Sequence, residues 1–222
     1  MTVDDVYKII LYAVKKNQNG SVTPAKFNEI INVGMRSWMA WMLGSFQTYQ
    51  PGRPIAKVEL GNNAVVRQRL SPCIVPATLA IDSSGIASYP ADYLQTDTMY
   101  QMSVNKRIRY IENNQLDSVY NSVIDPIATN PIYLLEDNNF QFYPVALSQA
   151  KLRYVKDPAN IVWGFTVDGN GREVYDVATS VQPIFDNLVI LEIIVRALNI
   201  VGVNLQIGAV IQYSQEIKNT GQ

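Results

Sequence analysis

NPIYLLEDNNFQFYPVALSQAKLRYVKDP, residues Asn130–Pro158, is the stretch that decides the fold class. It divides into three short strand-like runs. Ile132–Leu135 leads into Glu136-Asp137-Asn138-Asn139, a polar cluster suited to reversing the chain. Phe140–Tyr143 follows and stops at Pro144, which has no N–H to give a ladder. Ala150–Val155 then alternates, with Ala150, Leu152 and Tyr154 on one side and Lys151 and Arg153 on the other. A period of two marks a sheet with one solvated face. The pattern predicts three antiparallel strands, their apolar face covered by helical segments from the two ends of the chain.

Those ends have helical periodicity. Val6, Ile9, Ile10, Ala13 and Val14 make one apolar stripe over residues 3–19, with Asp4 and Asp5 at its start, Lys15 and Lys16 near its end, and Gly20 as its stop. Thr23-Pro24 is an N-cap and first-turn pair opening a second helix that closes at Gly44. Its expected buried side is Phe27, Ile30, Ile31, Gly34, Trp38 and Trp41 or Met42. Gln50–Pro54 is a loop, and Asn62 or Asn63 caps a short helix through Leu70. Strands are expected at Ala77–Ile81, Ile86–Tyr89, Thr98–Val104 and Arg107–Ile111, with one helical turn at Pro90–Tyr93 and a short helix over Glu112–Asn121. A hairpin follows, with Ile161, Trp163, Phe165 and Val167 on one face, Asp168-Gly169-Asn170-Gly171 as its turn and Glu173–Tyr175 returning. Pro183–Val201 is an apolar helix, interrupted at Gly202-Val203-Asn204 and resumed over Gly208–Lys218. The fold class is therefore α+β, a helical layer from the two chain ends with an inserted antiparallel β-rich domain. Residues 1–70 and 182–222 form the helical layer and residues 71–181 the insertion.

Composition narrows the chemistry. The chain has no histidine, which removes the commonest general base near neutral pH and the commonest metal ligand. Its one cysteine, Cys73, lies in the apolar run Ser71–Pro76 and reads as a small buried hydrophobe. Arg172, Glu173 and Thr179 stand where a calcium loop starting at Asp168 would need a ligand, a glycine and a bidentate glutamate, so Asp168–Gly171 reads as a hairpin turn. No phosphate-cradling glycine loop is present. Net charge is −1, so the overall balance does not favour nucleic acid, and Arg107 and Arg109 read as the wet face of a strand. Neither a cofactor nor a metal is expected. The longest apolar run, Leu188–Val201, contains Glu192, Arg196 and Asn199 and is too short to span a bilayer, so no membrane partner is expected. The first residues, MTVDDVYK, carry acids where a signal peptide needs basic residues. Amides are abundant beside few charges (19 Asn and 14 Gln, with charged residues only 17%), which suits packing beside copies of the same chain.

Several stretches, in order, resemble the head-to-tail connector (adaptor or neck ring) proteins of tailed bacteriophages, above all those of crAss-like phages. They are Thr23-Pro24-Ala25-Lys26-Phe27-Asn28, Tyr89-Pro90-Ala91-Asp92-Tyr93, Asn130-Pro131-Ile132-Tyr133, Phe140-Gln141-Phe142-Tyr143-Pro144, Leu152-Arg153-Tyr154-Val155-Lys156-Asp157-Pro158 and Val162-Trp163-Gly164. The resemblance implies a non-enzymatic virion protein of the neck or tail, made in the host cytoplasm. It also implies a ring, usually dodecameric, that contacts the portal protein and other neck or tail rings. DNA passing through its centre would touch it transiently and without sequence preference. A carbohydrate-binding β module using exposed aromatics is the alternative, and a carboxylate-based glycosidase a third.

The helix at Leu188–Val201 is the place to look for a subunit interface. At ~100° per residue its polar residues Glu192, Arg196 and Asn199 share one narrow stripe, with Glu192 and Arg196 an i, i+4 pair. Ile190, Ile194, Ala197 and Val201 lie opposite and are expected in the subunit's own core. Val189, Ile193 and Ile200 on one flank are the candidate interface with a neighbouring subunit, and Leu188 and Val195 occupy the other flank.

Overall fold

In a computed structural model, which describes residues 1–16, 21–44, 64–102, 105–120, 126–127 and 129–205, helices occupy the early and late parts of the chain and strands its middle. The helices are α1 (Val3–Lys16), α2 (Pro24–Leu43), α3 (Ala64–Leu70), α4 (Leu116–Tyr120) and α5 (Asn187–Leu205). The strands are β1 (Ile74–Ala80), β2 (Ile86–Ser88), β3 (Tyr93–Gln101), β4 (Arg109–Tyr110), β5 (Ile132–Glu136), β6 (Asn139–Tyr143), β7 (Gln149–Lys156), β8 (Phe165–Val167) and β9 (Glu173–Tyr175). The fold is α+β, as the sequence pattern predicts. The Gln50–Pro54 loop and the Gly208–Lys218 helix lie outside the described residues.

The chain forms two compact units. One takes Met1–Arg69 together with the chain from Ala159 onward, and the other is Leu70–Pro158. The expected insertion of 71–181 is therefore too long at its C-terminal end, because residues 159–181 stay with the helices.

The reason lies in α2. Its N-terminus is set by Thr23, whose Oγ1 accepts from Lys26 N–H (3.4 Å), with Pro24 in the first turn. Asn28 and Asn32 then lie one turn apart, and each binds an extended backbone as a neighbouring strand would. Trp163 N–H donates to Asn28 Oδ1 (2.7 Å), and Asn28 Nδ2 donates to Trp163 O (3.3 Å). Ile161 N–H donates to Asn32 Oδ1 (2.8 Å), and Asn32 Nδ2 donates to Ile161 O (2.8 Å). The spacings match. Four helical residues rise about 6.0 Å and two extended residues about 6.6 Å. The Trp163 ring packs 4.3 Å from Tyr7 between centroids, and its Nε1 donates to Asp4 Oδ1 (3.1 Å), so α1 shares the seat. Ile161 and Trp163 are buried, whereas Phe165 and Val167 are exposed on β8, so the expected single apolar face ends where the clamp ends. Gly164 follows with no room for a side chain: a Cβ there would lie 2.2 Å from Thr179 Oγ1.

The second unit holds two sheets, ordered β1-β7-β3 and β2-β6-β5-β4. The three runs of Asn130–Pro158 are all strands, but they do not form one sheet. β5 and β6 make a hairpin through Asp137 (φ 44°) and Asn138 (φ 59°), both in the left-handed region that a two-residue hairpin turn requires. β7 instead lies between β1 and β3 in the other sheet, antiparallel to both. The cover for its apolar face is thus the opposing sheet. Leu79, Met99, Ala150, Leu152 and Tyr154 meet Ala87, Tyr133, Phe140 and Phe142 in one buried cluster. Three further expectations change. β4 runs parallel to β5, and the expected return strand at Arg107–Ile111 keeps a single antiparallel bridge, Arg107 to Tyr100. Tyr93 begins β3 rather than closing a helical turn. α5 continues through Gly202 to Leu205 without interruption.

Two outcomes follow from this packing. Asn32→Ala strands a backbone N–H and a C=O of Ile161, and should cost about 2–6 kcal/mol in urea unfolding, since each buried unpaired group costs about 1–3 kcal/mol. A change below about 0.5 kcal/mol would mean that Asn32 does not anchor the segment. The second outcome concerns alkali. Burial raises the Tyr133 hydroxyl to about 12, and burial together with its hydrogen bond to Asp92 raises Tyr154 to about 12. Both groups keep their protons longer when folded than when unfolded, where a tyrosine titrates near 10. Their contribution is present below pH ~10 and is lost as pH climbs towards ~12. Thermal melts should therefore fall over that window, and tyrosinate absorbance should lag behind that of the urea-unfolded chain.

Candidate subunit interface

α5 is seated by both of its neighbours. Asp186 starts it, accepting Val189 N–H at Oδ1 (2.9 Å) and Ile190 N–H at its carbonyl (3.0 Å). Gly34 of α2 lets the two helix backbones approach closely. A Cβ at that position would come 3.1 Å from Ile193 O and 3.2 Å from Ala197 N. Val3 N–H donates to Gln182 Oε1 (2.9 Å), which ties the start of α1 to the segment leading into α5.

The close packing of α5 on Gly34 of α2 overturns the expected interface. Val189 and Ile193 are 0% and 1% exposed, and Ile200 is half-buried, so this flank belongs to the chain's own packing. Ile190, Ile194, Ala197 and Val201 are buried, as the helical wheel predicts. The apolar flank that faces outward is the opposite one. Leu188 is 68% exposed, Leu191 is 45% exposed, and Val195 at i+7 is half-buried. Ile184, three residues before the helix, is exposed as well.

The polar stripe also has a different task from the one expected. Glu192 accepts from Trp38 Nε1 at Oε2 (2.8 Å) and from Arg69 Nη1 at Oε1 (2.6 Å), so it joins α5 to α2 and α3. The Arg196 guanidinium lies over the Trp41 ring, 5.2 Å from its centroid. Partial burial lowers the Arg196 pKa from its ordinary value, with the charge of Glu192 acting against that shift. The residues placed at the helix surface by polarity thus hold the helix to its neighbours.

Other candidate chemistry resolves into structure. Cys73 is buried, and burial raises its thiol to about 11, far from a nucleophile's range. Asp168 Oδ1 accepts the backbone N–H groups of Asn170 and Arg172, both at 2.8 Å, which is the hairpin-turn role. Trp38 and Trp163 are core residues, and Trp41 is the exposed tryptophan whose ring face Arg196 covers. Among the described residues no group of acids or cysteine is placed to hold a metal ion, and no helix is long and apolar enough to cross a membrane. No protein-family model matches the chain, and no curated protein matches it.

The two flanks of α5 make a sharp experimental contrast. Ile193→Glu buries an unpaired charge and should cost about 3 kcal/mol or more. Leu188→Glu with Leu191→Glu places charges in solvent, and each should change monomer stability by no more than about 0.5 kcal/mol. Equal destabilisation of both variants in urea melts would show that the Leu188 flank is covered within its own chain.

Proposed function

We propose that the chain is a non-enzymatic virion protein, a subunit of a homo-oligomeric ring at the neck of a tailed bacteriophage that joins portal and tail and lines the path of the DNA. The observation that carries this reading is the outward apolar flank of α5. The helix is hydrophobic nearly all round, its inner faces are filled by its own chain, and large aliphatic side chains still face water. An exposed row of leucines beside a fully used packing face suits contact with another subunit.

The motifs that carry the resemblance give separate support, because they meet one another in the fold. Asn28 of the Thr23–Asn28 motif clamps Trp163 of Val162–Gly164. Asp92 of Tyr89–Tyr93 accepts from the Tyr154 hydroxyl (2.7 Å) and, through its carbonyl, from Asp157 N–H (2.8 Å), both in Leu152–Pro158. Tyr89 and Tyr93 pack on Phe140 of the Phe140–Pro144 motif, with ring centroids 4.5 and 5.5 Å apart. Residues spaced along the chain in the order of a connector protein therefore work as coupled sets. That is what a shared fold requires of them.

Negative-stain electron microscopy and light scattering of the purified protein test the proposal. The native chain should form closed rings, and Leu188→Glu with Leu191→Glu should yield a folded monomer. A native chain that stays monomeric at micromolar concentration and binds glycans on an array would replace the ring reading with the carbohydrate-binding one.

A further inference from the structure

We infer that the solvent face of the β1-β7-β3 sheet is a contact surface for the phosphate backbone of duplex DNA, with Arg107, Lys151 and Arg153 as its cations. This deepens the ring reading by assigning the surface turned to the DNA, and it rests on that reading only for the choice of DNA as the polyanion. Lys151 and Arg153 alternate on β7 with buried Ala150 and Leu152, so both point outward. In the register, Lys151 stands opposite Thr78 on β1 and Tyr100 on β3, and Tyr100 stands opposite Arg107. Directly opposed residues of an antiparallel pair share a face. Arg107, distant in sequence, therefore shares one surface with Lys151 and Arg153, with Tyr100 between it and Lys151.

That surface carries no counter-charge at its paired positions, which are Pro76, Thr78, Ala80, Thr98 and Tyr100. The nearest acid on the strand, Asp97, sits at the bulge between Thr96 and Thr98. All three cations are exposed, and among the described residues none forms an ion pair. The contrast with the rest of the unit is sharp, because Leu70–Pro158 has six basic against nine acidic residues. Like charges gathered on one face without partners repel one another in the free protein. An extended polyanion neutralises them. Hydroxyl groups from Thr78 and Tyr100 between the cations suit phosphate and sugar contacts, which position a duplex without reading its sequence.

Fluorescence anisotropy with a mixed-sequence duplex of about 30 base pairs, titrated with salt, tests this. Three phosphate contacts per chain predict a log–log salt slope near −2.7 per engaged subunit, or about 40-fold weaker binding at 200 mM than at 50 mM salt. Arg107→Gln, Lys151→Gln and Arg153→Gln should each flatten the slope by about 0.9, and a scrambled duplex should bind equally well. All three sites are exposed, and unchanged thermal melts of the variants would confirm an intact fold. Rings that bind no duplex at 50 mM salt would overturn this surface and leave the ring reading standing. A monomeric native protein that shows the predicted slope would do the reverse. A triple variant that binds duplex like the native chain but no longer assembles would overturn the assignment in favour of an acidic protein surface as the partner.

Discussion

Two asparagine side chains on one helix hold the helical unit together. Asn28 and Asn32 present an amide N–H and C=O at each of two levels, and the backbone at Ile161 and Trp163 accepts them as it would a neighbouring strand. An extended segment leaving a β unit carries polar groups that must be satisfied before it can lie against a helix. Helix backbones cannot satisfy them, because their own groups are already used. Amide side chains at i and i+4 can. Once Trp163 is fixed, its ring takes up Tyr7 and Asp4 from α1, the β8–β9 hairpin is rooted beside it, and the chain continues to Phe185, whose ring meets Trp38 at 5.1 Å.

The β unit is held by a different economy. Its two sheets are small, and each depends on the other for an apolar cover. The stretch Tyr89–Tyr93 links them. Its aromatic residues lie on Phe140 of one sheet, and Asp92 takes the Tyr154 hydroxyl from the other. A buried tyrosine hydroxyl needs a partner, and the carboxylate supplies one at the edge of the core.

α5 shows how packing reassigns a helix surface. Polarity marks Glu192 and Arg196 as the outer stripe, yet Trp38, Arg69 and Trp41 draw them inward as bonded groups. Close approach at Gly34 turns the Val189–Ile193 flank to the core, leaving Leu188 and Leu191 outside. A helix with an apolar arc this wide has several rotations of nearly equal hydrophobic burial, and the specific contacts of its neighbours choose among them.

Local periodicity and turn chemistry were enough to show most of the helices and strands. Thr23-Pro24 opens α2, Gly44 closes it, Asp137-Asn138 turns a hairpin, and alternation along Ala150–Val155 marks which side of β7 is buried. The buried side of α5 at Ile190, Ile194, Ala197 and Val201 was legible for the same reason, since a helix's inward centre follows from its period alone. Pairing was not legible. Nothing local says that β7 leaves the β5–β6 hairpin for β1 and β3, that residues 161–163 answer two asparagines more than a hundred positions away, or that Arg107 shares a sheet face with Lys151 across Tyr100. Each residue's preference for helix, strand or turn is set by its own side chain and its near neighbours. Which faces meet is decided by mutual burial and hydrogen bonding between distant segments, and only the tertiary structure contains those partners.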